Sequence, residues 1–174
     1  MTDNKYTIDL FSHHDNGGYC TFYCISNNKH LAFKEFISKK RAEYARKVQI
    51  KLSKFDLAPK VLSKLCKIKY ETLFPGQKSG WGYITEVAKT INKDTVSLSK
   101  IQKLVDKIQS KTKLKFWDCH WDNLGYITRD NKKCLVCIDT GKETWAGDAN
   151  YFGNVDPGPK CSYCLRYQCK CTGE

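Results

Sequence analysis

Two apolar, β-prone runs, Leu124-Gly125-Tyr126-Ile127 and Cys134-Leu135-Val136-Cys137-Ile138, flank the polar stretch Thr128-Arg129-Asp130-Asn131-Lys132-Lys133. Such a pattern predicts a β-hairpin. A hairpin constrains its ends: Asn123 begins one strand and Asp139 ends the other, so both groups face a single point. Asp118 lies five residues before Asn123, and Asp139 opens an Asp-x-Gly turn at Gly141. Phosphoryl transfer from a nucleotide needs one carboxylate beside the attacking hydroxyl. It also needs an amide and a second carboxylate to hold Mg²⁺ on the phosphates. Asp-x4-Asn alone is common in surface loops. The two-strand spacing and the second acid make Asp118, Asn123 and Asp139 a candidate site.

Length and charge bound the rest. A chain of 174 residues suits one compact domain or a small two-lobed one. Hydrophobic content of 41% and aromatic content of 13% exclude a disordered chain. Thirty basic against eighteen acidic residues give a formal charge of +12, which favours anionic partners: nucleotide phosphates, nucleic acid or an acidic protein. Most of these lysines are expected to form a solvated surface. No apolar run approaches the roughly 20 residues of a membrane span. The stretch Met1-Thr2-Asp3-Asn4-Lys5 lacks the layout of a signal peptide. A cytoplasmic protein without membrane contact is expected, its ten cysteines reduced or metal-bound.

In the first half, Tyr6–Phe11 and Tyr19–Ile25 are expected to be strands joined across His13-His14-Asp15-Asn16-Gly17-Gly18, with Asn16-Gly17 a tight-turn signal. A third strand is expected over His30–Phe36. Ser38 to Ser53 reads as a helix, with Ser38 as N-cap and Ala42, Ala45, Val48 and Leu52 on one face. At about 100° per residue, Glu43 points away from that stripe, whereas Gln49 lies within it. Strands are expected at Val61–Tyr70 and Trp81–Val87, with residues 75–80 as the loop between them.

In the second half, Leu98, Ile101, Leu104, Val105 and Ile108 recur at helical spacing over Ser97–Lys113. The tail changes character at Asp156-Pro157-Gly158-Pro159. Cys161-x-x-Cys164 and Cys169-x-Cys171 then put four thiols within eleven residues, enough for a tetrahedral Zn²⁺ site. A redox-active or unstructured end is the competing reading. Tyr163, Arg166, Tyr167 and Lys170 interleave aromatic and basic groups there, as a nucleic-acid or partner-binding knuckle does. Cys134 and Cys137, on opposite faces of a strand, read as core. Cys20, Cys24, Cys66 and Cys119 read as small buried hydrophobes.

Asp118-x-His120-x-x-Asn123, followed by Asp139-x-Gly141, resembles the catalytic loop and metal-binding turn of the protein-kinase-like phosphotransferases. The loop looks most like that of the aminoglycoside-phosphotransferase branch and of some viral kinases. Phe116 and Trp117 stand where conventional protein kinases have His-Arg. The resemblance covers roughly the first 145 residues. It implies an α+β, two-lobed fold: an antiparallel small lobe over residues 1–88, a shortened helical large lobe over 89–150 and a Cys-rich tail over 151–174.

It also implies roles. Asp118 would orient the acceptor hydroxyl and take its proton, with His120 bracing the loop, while Asn123 and Asp139 coordinate Mg²⁺. Lys34, in Leu-Ala-Phe-Lys-Glu-Phe, would clamp the phosphates of ATP. Gly17 and Gly18 would bring N–H groups to them, although G-x-G-x-x-G is absent. The Glu86 carbonyl and Ala88 N–H would meet the adenine edge. Gln49 occupies the place of the helix glutamate that pairs with the lysine, and an amide brings no charge. No Ala-Pro-Glu segment follows Asp139. The activity implied is a Ser/Thr protein kinase, the basic surface suiting a protein substrate. The form of the catalytic loop favours instead a small-molecule kinase. The missing glutamate and short large lobe favour a catalytically weak module that binds an acidic protein or nucleic acid.

Overall fold

The computed structural model describes residues 6–12, 14–15, 20–71, 77–91, 96–116, 119, 121–141 and 145, with backbone alone at 14–15, 70–71 and 77–79. The chain is α+β with antiparallel sheets, and it divides into two units. The first comprises residues up to Val48 together with Lys60–Val87; the second comprises Gln49–Pro59 and the chain from Ala88 onward. The expected boundary at residue 88 did not include this assignment of residues 49–59 to the second unit. Among the described residues, no helix is long and apolar enough to cross a membrane.

The first unit is built on a five-stranded antiparallel sheet. Its strands are β1 (His14–Asp15), β2 (Cys20–Cys24), β3 (Leu31–Phe36), β4 (Cys66–Glu71) and β5 (Gln77–Glu86), in the order β1-β2-β3-β5-β4. All six residues of the central β3 are buried, because both faces of the sheet are covered. One face packs Phe33 with Tyr23, Ile25, Leu31 and Ile84. The other packs Phe36 and Tyr83 on Ala42 and Ala45 of helix α1 (Lys39–Ser53). Period-two alternation therefore sends Lys34 to the helix side and Glu35 to the opposite side. Helix α1 begins where expected: the Arg41 N–H donates to the Ser38 hydroxyl at 3.3 Å, a side-chain cap. Ala42, Ala45, Val48 and Leu52 are all buried.

Two expected strands are shorter than their hydrophobic runs, and one cause acts in both. Within Tyr6–Phe11, only Ile8 forms a bridge, to Ile25. The chain then turns, with the Phe11 N–H on Asp9 Oδ1 at 3.0 Å and the Ser12 N–H on the Asp9 carbonyl at 3.2 Å. The Ser12 hydroxyl accepts the Cys24 N–H at 2.8 Å, where a ladder carbonyl would stand. In Val61–Tyr70, Val61 bridges Thr85, and the Ser63 hydroxyl accepts the Ile84 N–H at 2.8 Å. Regular pairing starts only at Cys66. A serine hydroxyl interrupts each ladder by offering the backbone a competing partner. In contrast, β5 begins earlier than expected, at Gln77 rather than Trp81.

The second unit holds a three-stranded antiparallel sheet in the order β6-β7-β8, from β6 (Lys89–Thr90), β7 (Leu124–Arg129) and β8 (Lys132–Cys137). Helix α2 (Leu98–Thr112) buries Ile101, Leu104, Val105 and Ile108 of the expected stripe, and Thr112 besides, whereas Leu98, its first residue, is exposed. It ends on Lys113 in the left-handed region, whose N–H donates to the Gln109 carbonyl at 2.9 Å.

The β7–β8 hairpin forms as expected, with Arg129 opposite Lys132. Its turn is only Asp130-Asn131, shorter than the polar run. Both residues have positive φ, 47° and 61°, the signature of a type I′ turn that matches the twist of the strands. Glycine takes that conformation without steric penalty. Asn131→Gly should therefore raise stability by about 0.5 kcal/mol, read as a higher urea midpoint. A lower midpoint would exclude this turn geometry.

Candidate active site

The hairpin brings two of the three expected acid–amide residues together. Leu124 pairs with Cys137, and one step beyond, the Asn123 carbonyl accepts the Ile138 N–H at 2.9 Å. Asn123, closing the short 3-10 turn Trp121–Asn123, and Asp139 thus emerge at the same end of one hairpin, both partly exposed. Three bonds fix Asp139 or its strand. Its Oδ1 accepts the Gly141 N–H at 2.8 Å, the expected Asp-x-Gly turn. Its carbonyl accepts the Cys137 Sγ–H at 2.9 Å, and the Cys137 N–H donates to the Leu57 carbonyl at 2.9 Å.

The next residue, Thr140, is fully buried. Its hydroxyl donates to Gln49 Oε1 at 3.4 Å, while Gln49 Nε2 donates to the Pro59 carbonyl at 3.0 Å. Gln49 therefore braces the segment that carries Asp139. Sequence reasoning missed Thr140. The one signal was a threonine between the two turn residues, where its side chain must leave the turn on the far side from the Asp139 carboxylate.

Carboxylate and carboxamide oxygens are hard donors that suit Mg²⁺, which takes one or two protein ligands beside substrate phosphates and water. They do not suit a closed zinc site. Among the described residues, no group of three or more His, Cys, Asp or Glu side chains could hold a metal by itself. Asp118 and His120 lie outside the described residues, but described residues near them are buried. Cys119 is buried, and Phe116 stacks on the fully buried Trp145 with centroids 4.9 Å apart and an interplanar angle of 10°.

In the first unit, Lys34 is 1% exposed in the central strand. Its Nζ lies 5.1 Å from the centroid of Phe22, its cross-strand neighbour, and 5.6 Å from that of Phe36. Ring faces stabilise a cation out of water, so the sheet keeps the ammonium in a defined position. The flanking rings were legible in principle, because Phe36 is two residues on along the same strand face. Glu43 is solvent-exposed and pairs with Lys39 at 3.7 Å, one helical turn away. Glu86 accepts the Lys60 N–H on Oε2 at 2.8 Å and donates its own N–H to the Lys60 carbonyl at 3.0 Å. Ala88, in the second unit, sets its methyl against Gly125, where an added Cβ would lie 2.9 Å from it. Gly17, Gly18, Cys161, Cys164, Cys169 and Cys171 lie outside the described residues.

The other cysteines divide. Cys119 and Cys137 are buried, and Cys20 and Cys134 are half-buried. Cys24 and Cys66 are exposed, which corrects their reading as small buried hydrophobes: Cys24 ends its strand, and Cys66 opens the edge strand β4. Partial desolvation of its sulfur still pushes the Cys66 thiol above its usual pKa, and Sγ–H donates to the Gly82 carbonyl at 3.6 Å. No protein-family model matches the chain, and no curated protein matches it.

Proposed function

We propose that this chain is a compact, protein-kinase-like phosphotransferase that moves the γ-phosphoryl group of Mg²⁺·ATP to a hydroxyl, a serine or threonine of a protein substrate. The observation that carries the reading is the Asn123 carbonyl bonded to the Ile138 N–H. That bond extends the hairpin one step past Leu124 and Cys137, so Asn123 and Asp139 stand at the same end of it. Bound Mg²⁺ neutralises charge on the phosphates and orients them for in-line attack. Asn123 and Asp139 supply its protein oxygens, and Lys34 supplies fixed positive charge for the phosphates. Asp118 orients the acceptor hydroxyl and receives its proton as that oxygen bonds to the γ-phosphorus and ADP leaves. The net charge of +12 favours a macromolecular acceptor over a sugar.

One observation favours a second reading, a catalytically weak module on the same scaffold that captures an acidic partner. Glu43, the only acid of α1, faces solvent and is held by Lys39, so this helix offers its interior no carboxylate. Transfer of label from γ-labelled ATP to proteins of a lysate tests the two. Wild type should label protein and Asp118→Ala should lose at least about 100-fold of that activity. Equal labelling by both would refute the assignment. A melting temperature raised by Mg·ATP with no transfer would favour the weak module.

A further inference from the structure

Helix α2 carries four lysines and a single acid, and the lysines share its exposed side. On α2, Lys100, Lys103, Lys107 and Lys111 are all exposed. At about 100° per residue they fall within about 80° of arc, and at about 1.5 Å per residue they form a straight row about 16 Å long. Among the described residues none of the four makes an ion pair. The only acid on the helix, Asp106, lies on the flank and accepts a hydrogen bond from Gln102 Nε2 at 2.6 Å. Lys103–Lys107 and Lys107–Lys111 are therefore like-charge pairs one turn apart, and each destabilises the helix by a few tenths of a kcal/mol. A polyanion along the row would remove that repulsion.

Three features of the helix select the polyanion. Its apolar side, Ile101, Leu104, Val105 and Ile108, is buried within the protein, so α2 has no apolar face to insert into a lipid surface. The row is lined by Ser99 and Ser110, both exposed, with no aromatic or aliphatic anchor of the kind that dominates protein–protein interfaces. With no aromatic platform, it has nothing on which the bases of a single strand could stack. Lysines and serines on a rigid rod suit the regular phosphates of a duplex, read without regard to sequence. We propose that the exposed face of α2 is a docking surface for the phosphate backbone of double-stranded nucleic acid. This surface needs no nucleotide and stands whether or not the chain transfers phosphate.

The test uses the full chain and a labelled DNA duplex of about 20 base pairs, followed by fluorescence anisotropy across a salt series. Replacing the four lysines together (Lys100→Gln, Lys103→Gln, Lys107→Gln, Lys111→Gln) should weaken binding by about 100-fold or more near 0.1 M salt. It should also flatten the slope of log K against log salt by about 3.6. The melting temperature should not fall, since only repulsion is removed. The matching four Lys→Arg replacements should bind like wild type, which separates lost charge from lost structure. A control set removing the same charge elsewhere, at the exposed Lys29, Lys64, Lys69 and Lys132, should keep most of the affinity. Equal losses in the two Gln sets would overturn the location. Single-stranded DNA or polyglutamate binding as tightly as the duplex would overturn the ligand.

Discussion

Mg·ATP should raise the melting temperature of the wild-type chain, and Asp139→Ala should abolish that rise and lower phosphotransfer by on the order of 10³-fold. On the proposed reading the carboxylate is one of two oxygen donors to Mg²⁺ at the open end of the β7–β8 hairpin, and its loss would leave Asn123 alone there. The same carboxylate also accepts the Gly141 N–H, so the alanine variant loses a turn bond too, about 1 kcal/mol. Asp139→Asn separates the two effects. Its Oδ1 still accepts from Gly141 and keeps the turn, but the charge that attracts the cation is gone. Both variants should therefore lose the nucleotide response, while only the alanine should melt measurably lower without ligand. Full retention of the Mg·ATP response in either would remove Asp139 from the site, and with it the phosphotransfer reading.

Gly82→Val should unfold the first unit or destabilise it by about 3 kcal/mol or more. Gly82 lies opposite Glu35 on β3, in the centre of the sheet. A Cβ there would collide with the Lys34 carbonyl and approach the Phe33 Cζ to 2.6 Å. The first obstacle is backbone in a paired strand, and the second is the ring of a fully buried side chain, so neither can give way. Gly80 differs. Its Cβ would collide with the Glu35 carboxylate, which accepts the Tyr23 hydroxyl at 3.0 Å on its other oxygen. A double-mutant cycle distinguishes them by urea unfolding: Gly80→Ala should be milder in a Glu35→Ala background than in wild type, whereas Gly82→Ala should be equally damaging in both. Rescue of Gly82→Ala by Glu35→Ala would contradict the β3–β5 register.

Much of the local structure was legible because it depends on side-chain periodicity within a few residues. The stripes Ala42-Ala45-Val48-Leu52 and Ile101-Leu104-Val105-Ile108 specify their helices. The same angular arithmetic turned Glu43 to solvent. The two β-prone runs around Asp130-Asn131 specified the hairpin, and with it the meeting of Asn123 and Asp139, since an antiparallel pair must bring its outer ends together. Strand ends were less legible. Nothing near Ser12 or Ser63 indicates that its hydroxyl would meet the N–H of Cys24 or Ile84, because those partners lie 12 and 21 residues away.

Local pattern in the chain therefore determined the helices, the central strands, the closing of the β7–β8 hairpin and the arrival of Asn123 and Asp139 at the same end of it. Only the tertiary structure decided that Gln49 braces Thr140 and Pro59, that the Lys34 ammonium sits over two rings, and that residues 49–59 group with the second unit. The reason is physical. A turn or an amphipathic face is set by neighbours on the same element, whereas a buried polar group takes whichever donor or acceptor packing delivers, and packing is settled between elements far apart in the chain.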